Sequence, residues 1–296
     1  MTWYYAVAER DHDIQNPTSP EKIRLIGEWL RLGPESRALD IACGKCGPAL
    51  VLASSFGCRI TGVERYSGFV ATARERVAEA GLGDLIEVVE SDGREFPLEP
   101  EAWDVALCLG ATFVWDDLDG TLSALVPAVR PGGQIAVGEP YWSRAAPVGM
   151  DTMGYVSLSE TGAKFERHGL SLTGLISSST DDWDRYESQH WRALVDWLAK
   201  NDDEEIRSAY EEHKRNYLAR RDAFGWAIFL ARKPGYAARA SSGSSRSARN
   251  ASDSSSDFLI PVSPSRPSSA KIAWASGARS AAGLRHSSAS QSRRLS

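Results

Sequence analysis

The sequence predicts an α/β fold: a doubly wound, mostly parallel seven-stranded sheet with an antiparallel C-terminal strand pair and helices on both faces. Three observations carry this expectation. Between residues 20 and 137, short apolar runs alternate with stretches of helical spacing. A turn of small residues, Cys43-Gly44-Lys45-Cys46-Gly47, closes the first apolar run and opens a helix. Beyond residue 138 the alternation stops, and two apolar runs bracket a long, polar, tryptophan-rich stretch. Parallel neighbours need a crossover, usually a helix, whereas a terminal pair can run antiparallel at an edge.

The elements follow in order. Ser19-Pro20-Glu21 is a capped helix start with Pro at the first helical position, and Ile23, Ile26, Trp29 and Leu30 follow at helical spacing. Ala38–Ala42 is the first strand, and a helix begins near Pro48. Arg59–Glu64 is the second strand, followed by an alanine-rich helix over about 67–80. Ile86–Val89 and Trp103–Leu109 are the third and fourth strands. Gln134–Val137, after a turn at Arg130-Pro131-Gly132-Gly133, is the fifth. Leu170–Ile176 and Phe224–Ala231 form the expected edge pair, with a helical stretch over about 184–222 between them.

Composition bounds the rest. Of 296 residues, 42% are hydrophobic and 25% charged, enough for a sizeable soluble core. Four cysteines in a chain this long do not make a disulfide framework. No apolar run approaches the roughly 18 residues that span a bilayer, and the N-terminus lacks a basic region followed by an apolar one. A cytoplasmic protein with no membrane partner is expected. The formal charge is −5, but residues 235–296 hold nine Lys or Arg against two Asp, so the remainder carries about −12. An acidic body without a basic stripe argues against a nucleic-acid partner. Three segments are expected: an N-terminal segment, 1–18, as a candidate lid; one domain, 19–233; and a disordered Ser/Arg/Ala-rich tail, 234–296. About a third of that tail is serine, too little apolar surface to offset the entropy of ordering it.

Open parallel sheets bind ligands at the carboxyl ends of their strands, where strand order reverses. The segment Leu39–Gly47 ends the first strand with small residues that admit close backbone approach, and the next helix offers unpaired N–H groups. Glu64 ends the second strand twenty residues after Gly44, where an acid binds both hydroxyls of a ribose. These features suit any nucleoside cofactor.

Four motifs narrow the choice. The pattern Asp40-x-Ala42-x-Gly44 resembles the first motif of class I, Rossmann-like S-adenosylmethionine-dependent methyltransferases; dinucleotide-binding strands usually lack that acid. Ser91-Asp92-Gly93 is similar to the family's adenine-contacting motif. Trp103-Asp104-Val105 and Val129-Arg130-Pro131-Gly132-Gly133 resemble its fourth and fifth strand motifs. The resemblance spans about residues 20–233. It implies S-adenosylmethionine as cofactor, with Asp40 on the methionine amino group, directly or through water, Gly44 under the methionine moiety and Ala42 as a further cofactor contact. It also places Glu64 on the ribose, Asp92 and Gly93 at the adenine, and Leu109 and Gly110 on the floor near the sulfonium. The chain departs from the family at Ala42 and Cys46, where glycine is usual. Cys46 dislikes positive φ, a freedom that Gly47 can supply.

The acceptor side is open to several readings. Glu139-Pro140-Tyr141-Trp142 is expected on the rim after the fifth strand, with Tyr141 and Trp142 as substrate contacts or as mere cover for the sheet. Glu139 is the first choice of base for an oxygen acceptor, and Trp115, with Asp116 and Asp117, is a second contact candidate. Trp3, Tyr4 and Tyr5 are candidates for a lid. Trp183, Tyr186, His190, Trp191 and Trp197 have partly helical spacing, which fits core packing better than a ligand box, although His190 is a further candidate base. His12 and His168 have no partner in the sequence. Cys43-x-x-Cys46 lacks a second ligand pair, so no metal is expected. The function expected is in-line methyl transfer from S-adenosylmethionine to a small-molecule acceptor. An NAD-type oxidoreductase, opposed by Asp40 and the missing Gly-x-Gly-x-x-Gly, and a non-catalytic S-adenosylmethionine-binding module are the alternatives.

Overall fold

The computed structural model describes residues 2–235; the expected tail lies almost wholly outside them. One sheet of seven strands organises the chain: β1 (Arg37–Ile41), β2 (Arg59–Glu64), β3 (Ile86–Glu90), β4 (Trp103–Leu109), β5 (Val129–Trp142), β6 (Ser171–Ser177) and β7 (Phe224–Arg232). Their spatial order is β3-β2-β1-β4-β5-β7-β6. The first five are parallel neighbours, and β7 runs antiparallel between β5 and β6. Chain order reverses between β1 and β4, which creates the crevice where an open α/β sheet takes its ligand.

Eight helices are described: α1 (Thr2–Ala8), α2 (Pro20–Trp29), α3 (Gly47–Phe56), α4 (Ser67–Glu79), α5 (Leu118–Ala128), α6 (Leu158–Arg167), α7 (Thr180–Leu198) and α8 (Glu204–Arg220). Ser19 caps α2, its hydroxyl accepting from the Lys22 N–H, and Ile23 and Ile26 point fully inward from the same helix. Burying each such side chain is worth about 1.5–3 kcal/mol. The helices cover two separate cores on opposite faces of the sheet. Ile23, Leu52, Ala73 and Trp226 belong to one; Leu39, Leu122, Phe165 and Phe229 belong to the other. A third, smaller cluster joins Tyr4 and Ala8 of α1 to Leu194 of α7 and Ile206 of α8. No helix among the described residues is long and apolar enough to cross a membrane.

The structure departs from the sequence reading in three places. The stretch over 184–222 is two helices, because Asp203 starts a new one by accepting from the Ile206 N–H. Arg130–Gly133 is no turn ahead of the fifth strand. β5 begins at Val129, and the register jumps from Trp103–Val129 to Val105–Gln134, so these residues bulge out within the strand, with Gly132 at φ +76. Finally, β5 does not stop at Val137 but pairs with β7 as far as Trp142–Phe224, which carries Glu139–Trp142 into the sheet.

Candidate active site

The turn after β1 is built from left-handed residues. Ala42 (φ +55), Gly44 (φ +56) and Cys46 (φ +58) alternate with ordinary ones, so Cys46 takes the conformation itself and Gly47 does not relieve it. A non-glycine residue there costs about 1–2 kcal/mol, and the contacts around the turn hold it in place. Gly47 is needed for a different reason: a Cβ on it would lie 2.0 Å from the Asp13 carbonyl oxygen. Residues 9–16 lie across the turn. Gln15 Oε1 accepts from the Lys45 N–H (2.7 Å), and Lys45 Nζ donates to the Glu9 and Arg10 carbonyls (2.8 and 3.2 Å). The Cys43 and Cys46 thiols touch at 3.5 Å beneath the turn. That contact and burial push the Cys43 thiol well up, so it stays neutral.

The Glu64 carboxylate ties β2 to this turn. Its Oε2 accepts from the Gly44 N–H (3.1 Å) and its Oε1 from the Tyr66 N–H (2.8 Å). Each oxygen keeps a lone pair for a further donor. Burial raises the Glu64 carboxyl, more than these backbone bonds lower it. Asp40 lies below, completely buried, with Oδ2 unpartnered. Burial first, and the Glu64 charge second, push it up to about 7.

Above these residues is a cavity of about 460 Å³ at the carboxyl ends of β1–β4. One side is lined by Ala42, Gly44, Glu64, Asp92, Gly93, Leu109 and Gly110, all named from the sequence. Gly93 leaves that wall flat, since a Cβ would press on Ile41 and Val114 at 3.0 and 3.1 Å. Asp40 is not among the lining residues; it belongs to the layer beneath. The opposite side comes from segments distant in sequence. Tyr5 and Glu9, then Tyr186, Glu187 and His190 of α7, then His213 and Arg220 of α8 line it. Of the aromatics of the expected lid, Tyr5 lines the cavity and Tyr4 packs in the small third core, while the Trp3 side chain lies outside what the structure describes.

These distant segments meet in a chain of hydrogen bonds. Tyr186 Oη and His190 Nε2 both contact Glu9 Oε1, at 2.9 and 2.7 Å, and His213 Nε2 contacts Glu187 Oε2 at 2.5 Å. Burial alone would raise the Glu9 carboxyl, but His190, His12 and Tyr186 outweigh it and hold Glu9 at about 2. Burial alone would lower His190, but Glu9 and Glu187 raise it. His12 shows the reverse balance: burial dominates and lowers it.

A methyltransferase-domain family matches residues 39–137 of the chain. An S-adenosylmethionine-dependent methyltransferase from Geobacter sulfurreducens, solved with S-adenosyl-L-homocysteine, is 31% identical with a TM-score of 0.71, over 77% of this chain and 97% of that one. The chain belongs to the S-adenosylmethionine-dependent methyltransferases. The protein YjhP of Escherichia coli (strain K12) is 29% identical over 238 residues, covering 76% of this chain and 96% of its own. The 27-O-demethylrifamycin SV methyltransferase of Amycolatopsis mediterranei is 26% identical, over 71% of this chain and 82% of that one. Family membership sets the NAD-type reading aside, and S-adenosylmethionine is the cofactor.

The geometry of this methyltransferase fits that cofactor: a left-handed turn of small residues, a carboxylate with spare lone pairs, and a buried carboxyl oxygen still without a donor. The residues expected around the acceptor fare differently. Glu139 is buried, its Oε2 accepting from Thr112 Oγ1 (2.7 Å). Tyr141 and Trp142 alternate into the two cores of the sheet, and Trp142 Nε1 donates to the Thr152 carbonyl. Trp115 packs behind the wall formed by its neighbours Val114 and Asp116. None of the four lines the cavity. The sequence alone puts Glu139, Tyr141 and Trp142 on a rim because the apolar run of β5 ends at Val137, five residues before the strand does. His168, unpaired in the sequence, contacts Asp119 Oδ1 at 3.1 Å.

Proposed function

We propose that this methyltransferase passes the methyl group of S-adenosylmethionine to a small-molecule acceptor held in the same cavity. One observation carries the reading. A single cavity is lined on one side by the residues of the cofactor motifs and on the other by residues drawn from 5–17 and 186–226. In this reading Asp40 answers the methionine amino group from below the turn, and Ala42 and Gly44 bare their backbone to the methionine moiety. Glu64 holds the ribose hydroxyls, Asp92 and Gly93 flank the adenine, and Leu109 and Gly110 floor the region of the sulfur. Residues 1–18 act as the lid of the domain formed by 19–233, a reading supported by residues 9–16 lying across the turn.

The bound cofactor supplies an electrophilic methyl group on a sulfonium. What the protein adds is alignment and dryness: in-line displacement is accelerated by holding nucleophile and methyl at near-attack distance with water excluded. Tyr5, Phe113 and Trp226 give the cavity apolar surface, while Glu9, His190 and Arg220 offer polar handles to an acceptor. Glu139, tied to Thr112, is not placed to take a proton from a ligand in this cavity. Similarity to a rifamycin methyltransferase supports a small organic acceptor.

The test is calorimetry with S-adenosylmethionine and S-adenosylhomocysteine, followed by a mass-spectrometric screen of hydroxylated, amino and thiol acceptors. Saturable cofactor binding and one methylated product from this panel are expected. Tight cofactor binding with no product from any acceptor class would leave a binding module instead.

A further inference from the structure

Two polar atoms on the acceptor side stand out. Glu9 Oε2 and His12 Nδ1 are both buried, both without a hydrogen-bond partner, and face each other across 3.7 Å. The other nitrogen of His12, Nε2, lies 2.9 Å from the Tyr186 carbonyl oxygen. A carbonyl only accepts, so Nε2 carries the hydrogen and Nδ1 of the neutral ring is a lone pair. Two buried acceptors then confront one another with no donor between them. Each such orphan costs about 1–3 kcal/mol, and a cation in the gap answers both at once.

A third donor atom is at hand. His190 Nε2 lies 2.7 Å from the other oxygen of Glu9, and one ligand atom from each of Glu9, His12 and His190 falls within 4.8 Å of the others. We propose that Glu9, His12 and His190 form a binding site for a divalent transition metal of the zinc type. Ligand atoms around a tetrahedral zinc, bonded at about 2.0–2.2 Å, lie roughly 3.3–3.6 Å apart, so the 3.7 Å gap needs little change. The two-imidazole, one-carboxylate set suits zinc, cobalt or iron(II) and disfavours magnesium and calcium, which prefer oxygen ligands.

The surroundings match what such ligands need. Ligating imidazoles usually donate their second N–H to a carbonyl or carboxylate. His12 does so to Tyr186, and the Nδ1 of His190 lies 4.0 Å from Glu187 Oε2. On metal binding, the proton on His190 Nε2 leaves that atom, and the ring keeps or takes one on Nδ1, facing Glu187. Tyr186 Oη meanwhile anchors Glu9 Oε1. A second triad, Glu187, His190 and His213, also has ligand atoms close together. There, however, His213 Nε2 already pairs with Glu187 Oε2 at 2.5 Å, and no buried atom is orphaned. The first triad is therefore the site. Three protein ligands leave a fourth position, and because Glu9 and His190 line the cavity it opens toward that space. The ion would also fasten the N-terminal segment to α7.

The experiment uses the tag-free full-length chain, stripped with a chelator and titrated with zinc by calorimetry and with cobalt by visible absorption. Saturation at a single equivalent is expected, with tetrahedral cobalt bands and no thiolate charge-transfer band. His12→Ala should weaken zinc binding by about 100-fold or more, and His213→Ala by less than about tenfold. Far-ultraviolet circular dichroism and a cooperative melt, retained in both variants, report that they fold. Absence of saturable zinc binding, a thiolate band pointing to Cys43 and Cys46, or a His12→Ala chain that binds zinc as the parent does would each overturn the site. Should His12→Ala fail to fold, the stoichiometry and cobalt spectrum of the parent chain decide the question.

Discussion

Asp40→Asn isolates the charge buried under the glycine-bearing turn. In the cofactor-free protein, Asp40 keeps its proton up to about pH 7, against an ordinary value of 3.8. That difference corresponds to about 4 kcal/mol, at about 1.4 kcal/mol per pH unit. Between pH 4 and 7 the folded chain holds a proton that the unfolded chain has lost, so this residue makes stability fall as pH rises. The penalty is absent below pH 4 and complete above pH 8. Asparagine carries no such penalty, although its amide, like the protonated acid, lacks a partner there. The variant should therefore track the parent at pH 4 and gain on it steadily to pH 8. For a body of this size, 4 kcal/mol corresponds to a melting-temperature difference of about 10 °C. Calorimetric melts of both proteins without cofactor, from pH 4 to 8, give the difference curve, in which the other titrating groups cancel. Parallel melting curves across that range would refute the reasoning. With S-adenosylmethionine present the difference should shrink, because in the proposed site the cofactor's ammonium compensates the aspartate charge.

Three further outcomes are expected. Glu64→Ala should weaken S-adenosylmethionine binding at least tenfold, about 1.4 kcal/mol, in a calorimetric titration. Glu64→Gln, which keeps an acceptor for one of the two amides, separates loop support from ribose contact, and unchanged affinity in both removes Glu64 from the cofactor site. Gly47→Ala drives a Cβ against the Asp13 carbonyl oxygen, a backbone atom that must move. It should cost about 1–3 kcal/mol in denaturant unfolding and expose residues 9–17 to limited proteolysis; equal protection would show that the segment is not held by this contact. Deleting residues 235–296 should leave methyl transfer on an acceptor found by the screen unchanged, and an inactive truncation would show the tail to be part of the catalyst.

That the residues proposed for the cofactor gather at one cavity was legible in the sequence because they cluster at strand ends, where local pattern and chemistry coincide. Trp103–Leu109 was read to the residue, since an apolar run flanked by turns has one sensible register. The acceptor side was not legible, for physical reasons that differ by residue. Glu139, Tyr141 and Trp142 were misplaced because nothing local says where a strand stops when its partner, β7, arrives some ninety residues later. His190 looked like a packing residue because Glu9, which pairs with it, is 181 positions away. The N-terminal α1, whose Tyr4 and Ala8 pack on α7 and α8, gains its core only from those distant helices. The signal available beforehand was a repeated spacing: Glu9-x-x-His12 near one end of the domain and Glu187-x-x-His190 near the other, each a carboxylate three residues before a histidine.

The two walls of the cavity have different origins along the gene. Every cofactor-motif residue falls within positions 39–137, the stretch shared with the methyltransferase-domain family, whereas Glu9, Tyr186, His190, His213 and Arg220 fall outside it. In the proposed reading, exchanging the flanking pieces together would change the acceptor wall and leave the cofactor motifs in place. Chimeras joined near those two boundaries, rather than point changes in the middle, are the natural route to a new acceptor.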